Sequence, residues 1–318
     1  MGILSKALLL STAAAWSGAM AGPIPLPSGP LYFDYRTAEQ YSPSNAIDNL
    51  LNPAASGVTE GNWGIIAVDS IQVGKALTPQ GWQIDPLGPV FFSNGLGAQI
   101  LGIFYGVQNN PRNPGSPATS KGGALDLYYW NSNNQDIDAE LGDFSNLSKR
   151  SGPNGSQYSG FTCQADTANC SFLVRLRFSA GADPNSQINT IFSPANALNF
   201  EAYLSVDNSR NGYWTEQFDS DYFTRNPDKD HCRDPGVSCV SANDIRADGQ
   251  VLQTGGTDWN VAPDIINLRK AGTFRTFAVP EPASLALTGV ALVALGYARN
   301  RRRSAAMCDD GGTGLPIP

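Results

Sequence analysis

One histidine, His231, stands in a chain of 318 residues. A Ser-His-Asp triad would have to use it, and no Gly-x-Ser-x-Gly elbow accompanies it. Zinc sites built on two or more histidines are excluded. A papain-like Cys-His pair fails too, because the adjacent Cys232 is expected in a disulfide, whose sulfur is no nucleophile. Charge is also sparse, at 15% of residues, and the formal net charge is −7. No basic face for nucleic acid is therefore expected. Neither a Walker loop nor a Gly-x-Gly-x-x-Gly fingerprint occurs.

What the chain does hold is 33 Gly and 22 Pro beside 41% hydrophobic residues. The apolar fraction is enough for a real core. The glycines and prolines suit many turns between strands better than long helices. The length fits one large domain or two small ones.

Apolar residues alternate with polar ones along several segments. Phe172, Val174, Leu176 and Phe178 form one face, opposed by Leu173, Arg175 and Arg177. Phe200, Ala202, Leu204 and Val206 repeat the pattern against Glu201, Tyr203 and Ser205. This period of two marks antiparallel sheet with one solvated face. Further strands are expected at 63–73, 90–92, 99–107, 125–130 and 273–279. A turn at Ser93-Asn94-Gly95 separates the second and third of these. A short helix is expected at Ser44–Leu51, capped by Ser44 and ended by Pro53. Polar segments at 108–123, 131–160 and 207–260 read as long loops. The expected fold is all-β, an antiparallel β-sandwich of which a jelly roll is one form. Two smaller β units dividing near residues 110–120 are the alternative.

Binding candidates are few. Tyr128, Tyr129 and Trp130 end one strand, and Tyr213 and Trp214 sit in a Gly/Asn-rich stretch. Such rings either stack on sugars or fill the core. Carboxylates cluster at Asp136, Asp138, Glu140 and Asp143, at Asp219 and Asp221, and at Asp228, Asp230 and Asp234. These read as solvated acidic loops. Calcium is the ligand they would suit, but the EF-hand spacing is missing, so no cofactor is expected. A non-enzymatic protein of the cell surface or extracellular matrix is the favoured reading, with a secreted carbohydrate-binding module as the alternative and a carboxylate-pair glycoside hydrolase as the enzymatic one.

Cys163 and Cys170 are separated by six residues, and so are Cys232 and Cys239. Two equally spaced pairs fit an oxidising compartment. Bridges Cys163–Cys170 and Cys232–Cys239 are expected, with cross-pairing between the segments as the alternative. Small loops of this kind contribute about 2–3 kcal/mol each.

The two ends explain the compartment. Lys6, an apolar stretch from Ala7 to Trp16 and the small-x-small run Ala19-Met20-Ala21 have the layout of a secretory signal peptide, residues 1–21. Signal peptidase and the secretion machinery are the partners this implies. The exported domain then spans residues 22–278. Residues 22–279 hold 16 Lys and Arg against 25 Asp and Glu, a net −9.

At the other end, Val279-Pro280-Glu281-Pro282 precedes sixteen uncharged residues, Ala283 to Ala298. Arg299, Arg301, Arg302 and Arg303 follow. As a helix, 283–298 covers roughly 24 Å, short of a ~30 Å hydrocarbon core. Tyr297 and snorkelling arginines make up the difference. The arginines stay cytoplasmic, so the bulk of the chain lies across the inner membrane, and residues 304–318 form a cytoplasmic tail with Cys308.

This ordered triplet, residues 279–303, resembles the PEP-CTERM sorting signal of Gram-negative bacteria. The resemblance implies recognition by an exosortase, with Pro280, Glu281 and Pro282 as the residues read and a cut near them. It also implies transient anchoring by the C-terminal helix before the protein reaches the cell surface or the medium. Proteins with this tail commonly accompany exopolysaccharide, biofilm or floc formation. Unlike the usual pattern, this chain continues for fifteen residues beyond Arg303.

Overall fold

Alternation along each strand gives every segment one apolar face, and the fold is the way those faces meet. The computed structural model describes residues 23–47, 60–76, 84–94, 97–113, 115–131, 147–159, 161–163, 169–183, 186, 188–195, 199–225, 241–254 and 266–280. The first strands are β1 (Gly29–Tyr41), β2 (Asn62–Ala76), β3 (Ile84–Ser93), β4 (Gln99–Asn109) and β5 (Ala118–Trp130). There follow β6 (Arg150–Ser151), β7 (Gln157–Tyr158), β8 (Cys170–Ser179), β9 (Ile191–Ser193) and β10 (Asn199–Val206). The helix α1 (Thr215–Phe218) precedes β11 (Phe223–Arg225), β12 (Ser241–Asn243), β13 (Ile245–Thr254) and β14 (Ile266–Ala278).

Ten strands form one sheet in the order β1-β14-β13-β10-β8-β5-β4-β2-β3, with β9 beside β10 and β5. Every pairing in it is antiparallel. A further pairing of β1 with β2 closes the sheet on itself. Setting β3 and β9 aside, the ring runs β1, β2, β4, β5, β8, β10, β13, β14 and back to β1. These eight strands follow one another in chain order, so the architecture is an up-and-down β-barrel. The closing seam joins β1 to β14 over all 13 residues of β1, from Gly29 opposite Ala278 to Tyr41 opposite Ile266. Closure gives every ring strand a strand neighbour on each side.

The all-β expectation therefore holds, but the sandwich is replaced by a closed barrel. Strands from both sides of residues 110–120 belong to one ring. One further expectation, the 44–51 helix, is corrected. Strands β3 and β4, on either side of the 93–95 stretch, do not pair with each other. They lie end to end along one edge of β2, β4 on Asn62–Val68 and β3 on Ser70–Ala76. The described part of the expected 44–51 helix, residues 44–47, is a turn followed by an isolated bridge from Ala46 to Glu60.

The inside of the barrel is the main core, with Phe33, Ile66, Phe104, Leu127, Leu176 and Leu204 among its buried residues. In β8, Val174 and Leu176 join it as expected, with Phe178 packed beside them. A bulge opposite Leu127 and Tyr128 breaks the alternation at the start of that strand. It sends Leu173 into the main core and Phe172 to a second cluster. An extra residue in one strand has this effect because side chains alternate strictly by two.

The second cluster lies on the outer faces of β2, β4 and β5. Trp63, Ile65, Leu101, Ile103, Tyr128 and Trp130 are covered there by Leu147, Tyr158 and Phe161 from the 147–163 segment. The Cys163–Cys170 disulfide, with Cα atoms 5.2 Å apart, ties that cover to the first residue of β8. The cover is also held by Arg150, which is 5% exposed. Its guanidinium bonds Glu60 (Nη2 to Oε1, 2.9 Å), the carbonyls of Gly155 and Asn154, and lies 4.6 Å from the Trp63 ring centre.

One end of the barrel is plugged. Trp214 and Phe218 pack edge-on against Phe33, with ring centres 6.3 and 6.0 Å away. Leu26 lies in the same core. Trp214 Nε1 donates to the carbonyl of Ile24 at 2.9 Å, and the backbone N–H of Val279 donates to that of Gln217 at 2.9 Å. The chain therefore enters and leaves the barrel at its plugged end.

Candidate functional site: the barrel lumen and the sorting segment

The other end of the barrel opens into its interior. A cavity of about 300 Å³ is lined by residues from every strand of the ring and by β9. Its floor is apolar, made by Ile66, Phe104, Leu125, Ala247 and Phe274. Glycines make this interior possible. A Cβ on Gly64 would lie 2.4 Å from the Ala38 carbonyl oxygen and 2.8 Å from the Phe104 ring. One on Gly272 would lie 2.6 Å from the Tyr35 hydroxyl.

One wall of the lumen is polar. Inward positions of β1 carry Tyr35, Thr37, Glu39 and Tyr41, and β2 and β14 add Asn62 and Lys270. Glu39, 2% exposed, gathers them. It accepts from Lys270 Nζ at 2.6 Å, from Thr37 Oγ1 at 2.7 Å and from Asn62 Nδ2 at 3.3 Å. A buried carboxylate needs this kind of pairing. Lys270 also lies 4.8 Å from the Phe200 ring centre. Tyr35 stacks on Phe274, with centres 4.2 Å apart. Burial holds its hydroxyl well above the usual tyrosine range, and the charges of Glu39 and Asp248 push the same way. At the mouth, burial also raises Tyr41, and Arg112 opposes the rise.

These polar lumen residues were missed in the sequence. The signal was a charged residue at a core-parity position, Glu39 in β1 and Lys270 in β14, but neither stretch reads as an amphipathic strand over its full length.

The aromatic sugar-binding candidates are placed differently from that expectation. Trp214 is fully buried, and Tyr128, Tyr129 and Trp130 are 1%, 5% and 6% exposed. Tyr128 and Trp130 pack under the 147–163 cover, while Tyr129 and Trp214 belong to the main core. Rings enclosed in this way offer no free face for a sugar, because apolar packing occupies the surface that stacking needs. Tyr128 and Tyr105 border the carboxylate of Asp126, which is held by Arg175 at 2.7 Å and Arg210 at 3.1 Å. Burial first, then the Asp126 charge, pushes both phenols up to about 12.

Among the described residues no three His, Cys, Asp or Glu side chains gather as metal ligands. Asp219 accepts a 3.5 Å bond from Asn208, and Asp221 is exposed. The other acidic clusters, His231, Cys232, Cys239 and Cys308 lie outside the described residues. So do the expected signal peptide at 1–21, and Glu281, Pro282 and the segment 283–318, which holds the expected span and Arg299, Arg301, Arg302 and Arg303. Among the described residues no helix is long and apolar enough to cross a membrane.

The start of the sorting segment is visible. β14 ends at Ala278, in register with the first residue of β1, and Val279 is fastened to Gln217 behind the plug. Pro280 is exposed. The Pro-Glu-Pro triplet thus begins within two residues of the barrel wall, at the plugged end.

No curated protein and no solved structure matches the chain. A family model described as the PEP-CTERM protein-sorting motif matches residues 278–303. That span starts on the last residue of the closing strand and takes in Pro280, Glu281, Pro282 and the arginines, and so the chain carries a PEP-CTERM sorting motif, which supports an exported substrate of exosortase.

Proposed function

We propose that this chain is a non-enzymatic β-barrel delivered to the cell surface or the extracellular matrix, in association with exopolysaccharide, by exosortase processing. The observation that carries the reading is the sorting motif set directly behind β14, with Pro280 exposed. A protease-like enzyme at the membrane needs an accessible stretch, and Pro280, the first residue of the Pro-Glu-Pro triplet, is exposed just beyond the closing strand. The closing strand ends at Ala278, ahead of Pro280-Glu281-Pro282, so a cut at that triplet leaves the closing seam intact.

Entry and exit at the plugged end give the geometry of the anchored stage. A tail held in the bilayer would keep the plug toward the membrane and the mouth away from it. The lumen argues for binding rather than hydrolysis. Among the described residues its lining holds one carboxylate, Glu39, committed to Lys270, whereas glycoside hydrolysis needs two. On the outer wall Glu201 and Asp248 stand opposite each other on β10 and β13, but each is paired with an arginine, Arg246 and Arg275.

The test is mass spectrometry of the exported protein. The expected mass places the N-terminus at Gly22 and the C-terminus close to Pro280-Glu281-Pro282, and a strain lacking exosortase accumulates the longer form. An exported form with Met1 and Pro318 both intact would overturn the reading.

A further inference from the structure

We propose that the barrel lumen binds one small, neutral amphiphile: a compact ring or short-chain hydrocarbon body with a hydroxyl or amide N–H at one end. This inference is independent of the sorting reading. It rests on three observations in the same cavity.

The first is shape. The cavity of about 300 Å³ is plugged at one end by Trp214 and Phe218 and open at the other. That volume is at the small end of the range for ligand pockets, roughly 300–1,000 Å³. An eight-stranded barrel is about the size that holds one small ligand. An apolar body fits the floor of Ile66, Phe104, Leu125 and Ala247.

The second is a buried acceptor without a donor. Asn62 lines the cavity and is 7% exposed. Its Nδ2 is spent on Glu39, while its buried Oδ1 has no hydrogen-bond partner. A buried polar atom left unpaired is costly, so a guest that brings a donor is favoured once a turn of the Asn62 amide presents Oδ1 to the lumen. This sets one requirement on the ligand's head: an O–H or N–H.

The third is charge. Glu39 and Lys270 face the cavity together, 2.6 Å apart. An anionic head brought to Lys270 meets the Glu39 carboxylate, and a cationic head brought to Glu39 meets Lys270. Each would have to break the pair and leave one buried charge uncompensated. The polar wall therefore selects a neutral head.

The probe is N-phenyl-1-naphthylamine, which has an apolar body, no charge and one N–H, and whose fluorescence rises on leaving water. Two relatives share its skeleton. The N-methyl derivative lacks the donor, and 1-anilinonaphthalene-8-sulfonate adds a negative charge. With the exported protein, the amine is expected to bind saturably at one site per chain. The N-methyl form should bind roughly three- to tenfold more weakly, the worth of one hydrogen bond, and the sulfonate more weakly still. Asn62→Leu should remove the preference for the amine over its N-methyl form. Ala118→Trp, which narrows the mouth without touching the polar wall, should abolish binding of both, and circular dichroism reports whether each variant folds. The comparison of the three probes on the unaltered protein needs no variant at all. Absence of saturable binding, equal binding of the amine and its N-methyl form, or tighter binding of the sulfonate would overturn the proposal.

Discussion

Replacing Arg150 by methionine tests how the outer cover is held. Arg150 and Glu60 are an ion pair with side chains 0% and 1% exposed. Methionine keeps much of the volume over Trp63 but removes the charge. It would leave the Glu60 carboxylate buried without its cation, though still accepting from the backbone N–H of Gly106. Breaking a buried pair on one side costs about 3–5 kcal/mol. The carbonyls of Gly155 and Asn154 lose their donor as well, at about 1 kcal/mol apiece where they stay shielded from water. These terms overlap, so the expected loss is about 4 kcal/mol, nearly a thousandfold in the unfolding equilibrium. The double variant Glu60→Gln, Arg150→Met removes both charges and should recover at least half of that. Urea unfolding of the mature protein, followed by tryptophan fluorescence, measures both. A single-variant loss under about 1 kcal/mol, or a double variant no better than the single, would show that the pair does not hold the 147–163 segment in place.

Two further outcomes are expected. Removing the Cys163–Cys170 bridge by paired alanines should cost about 2–3 kcal/mol and speed proteolysis within 147–163 while leaving the barrel's far-ultraviolet dichroism unchanged; cleavage first inside β13 or β14 would contradict this. Tyr105 and Tyr128, both held up to about 12, favour the folded state while neutral. Their contribution is complete below the ordinary tyrosine value near 10 and is lost as pH rises from there through about 12, so unfolding midpoints should fall over that window, with at least two phenols ionising late in a 295 nm titration.

The sequence made several features of this barrel legible and hid others. Alternation in β10 and most of β8 was plain because their inward faces are apolar and their outward faces polar. β1 and β13 were not read as strands. β1 turns polar on its inward face at Thr37 and Glu39, where it lines the mouth, and β13 presents Ala247 and Gly249 inward, too small to mark a face. Both flank β14, so without them the ring had no visible seam and a two-layer sandwich was the economical reading of the rest. The same residues that disguise β1 build the polar wall of the lumen.

The sorting motif and the short disulfide were settled locally. Composition, spacing and order within some 25 residues determine the first, and a gap of six residues between cysteines allows the second. Closure, the plugged and open ends, the Glu39–Lys270 pair and the unpartnered Asn62 were decided only in three dimensions. They bring together positions as far apart as Gly29 and Ala278 in the seam, and such contacts depend on which strands become neighbours rather than on the pattern within any one of them.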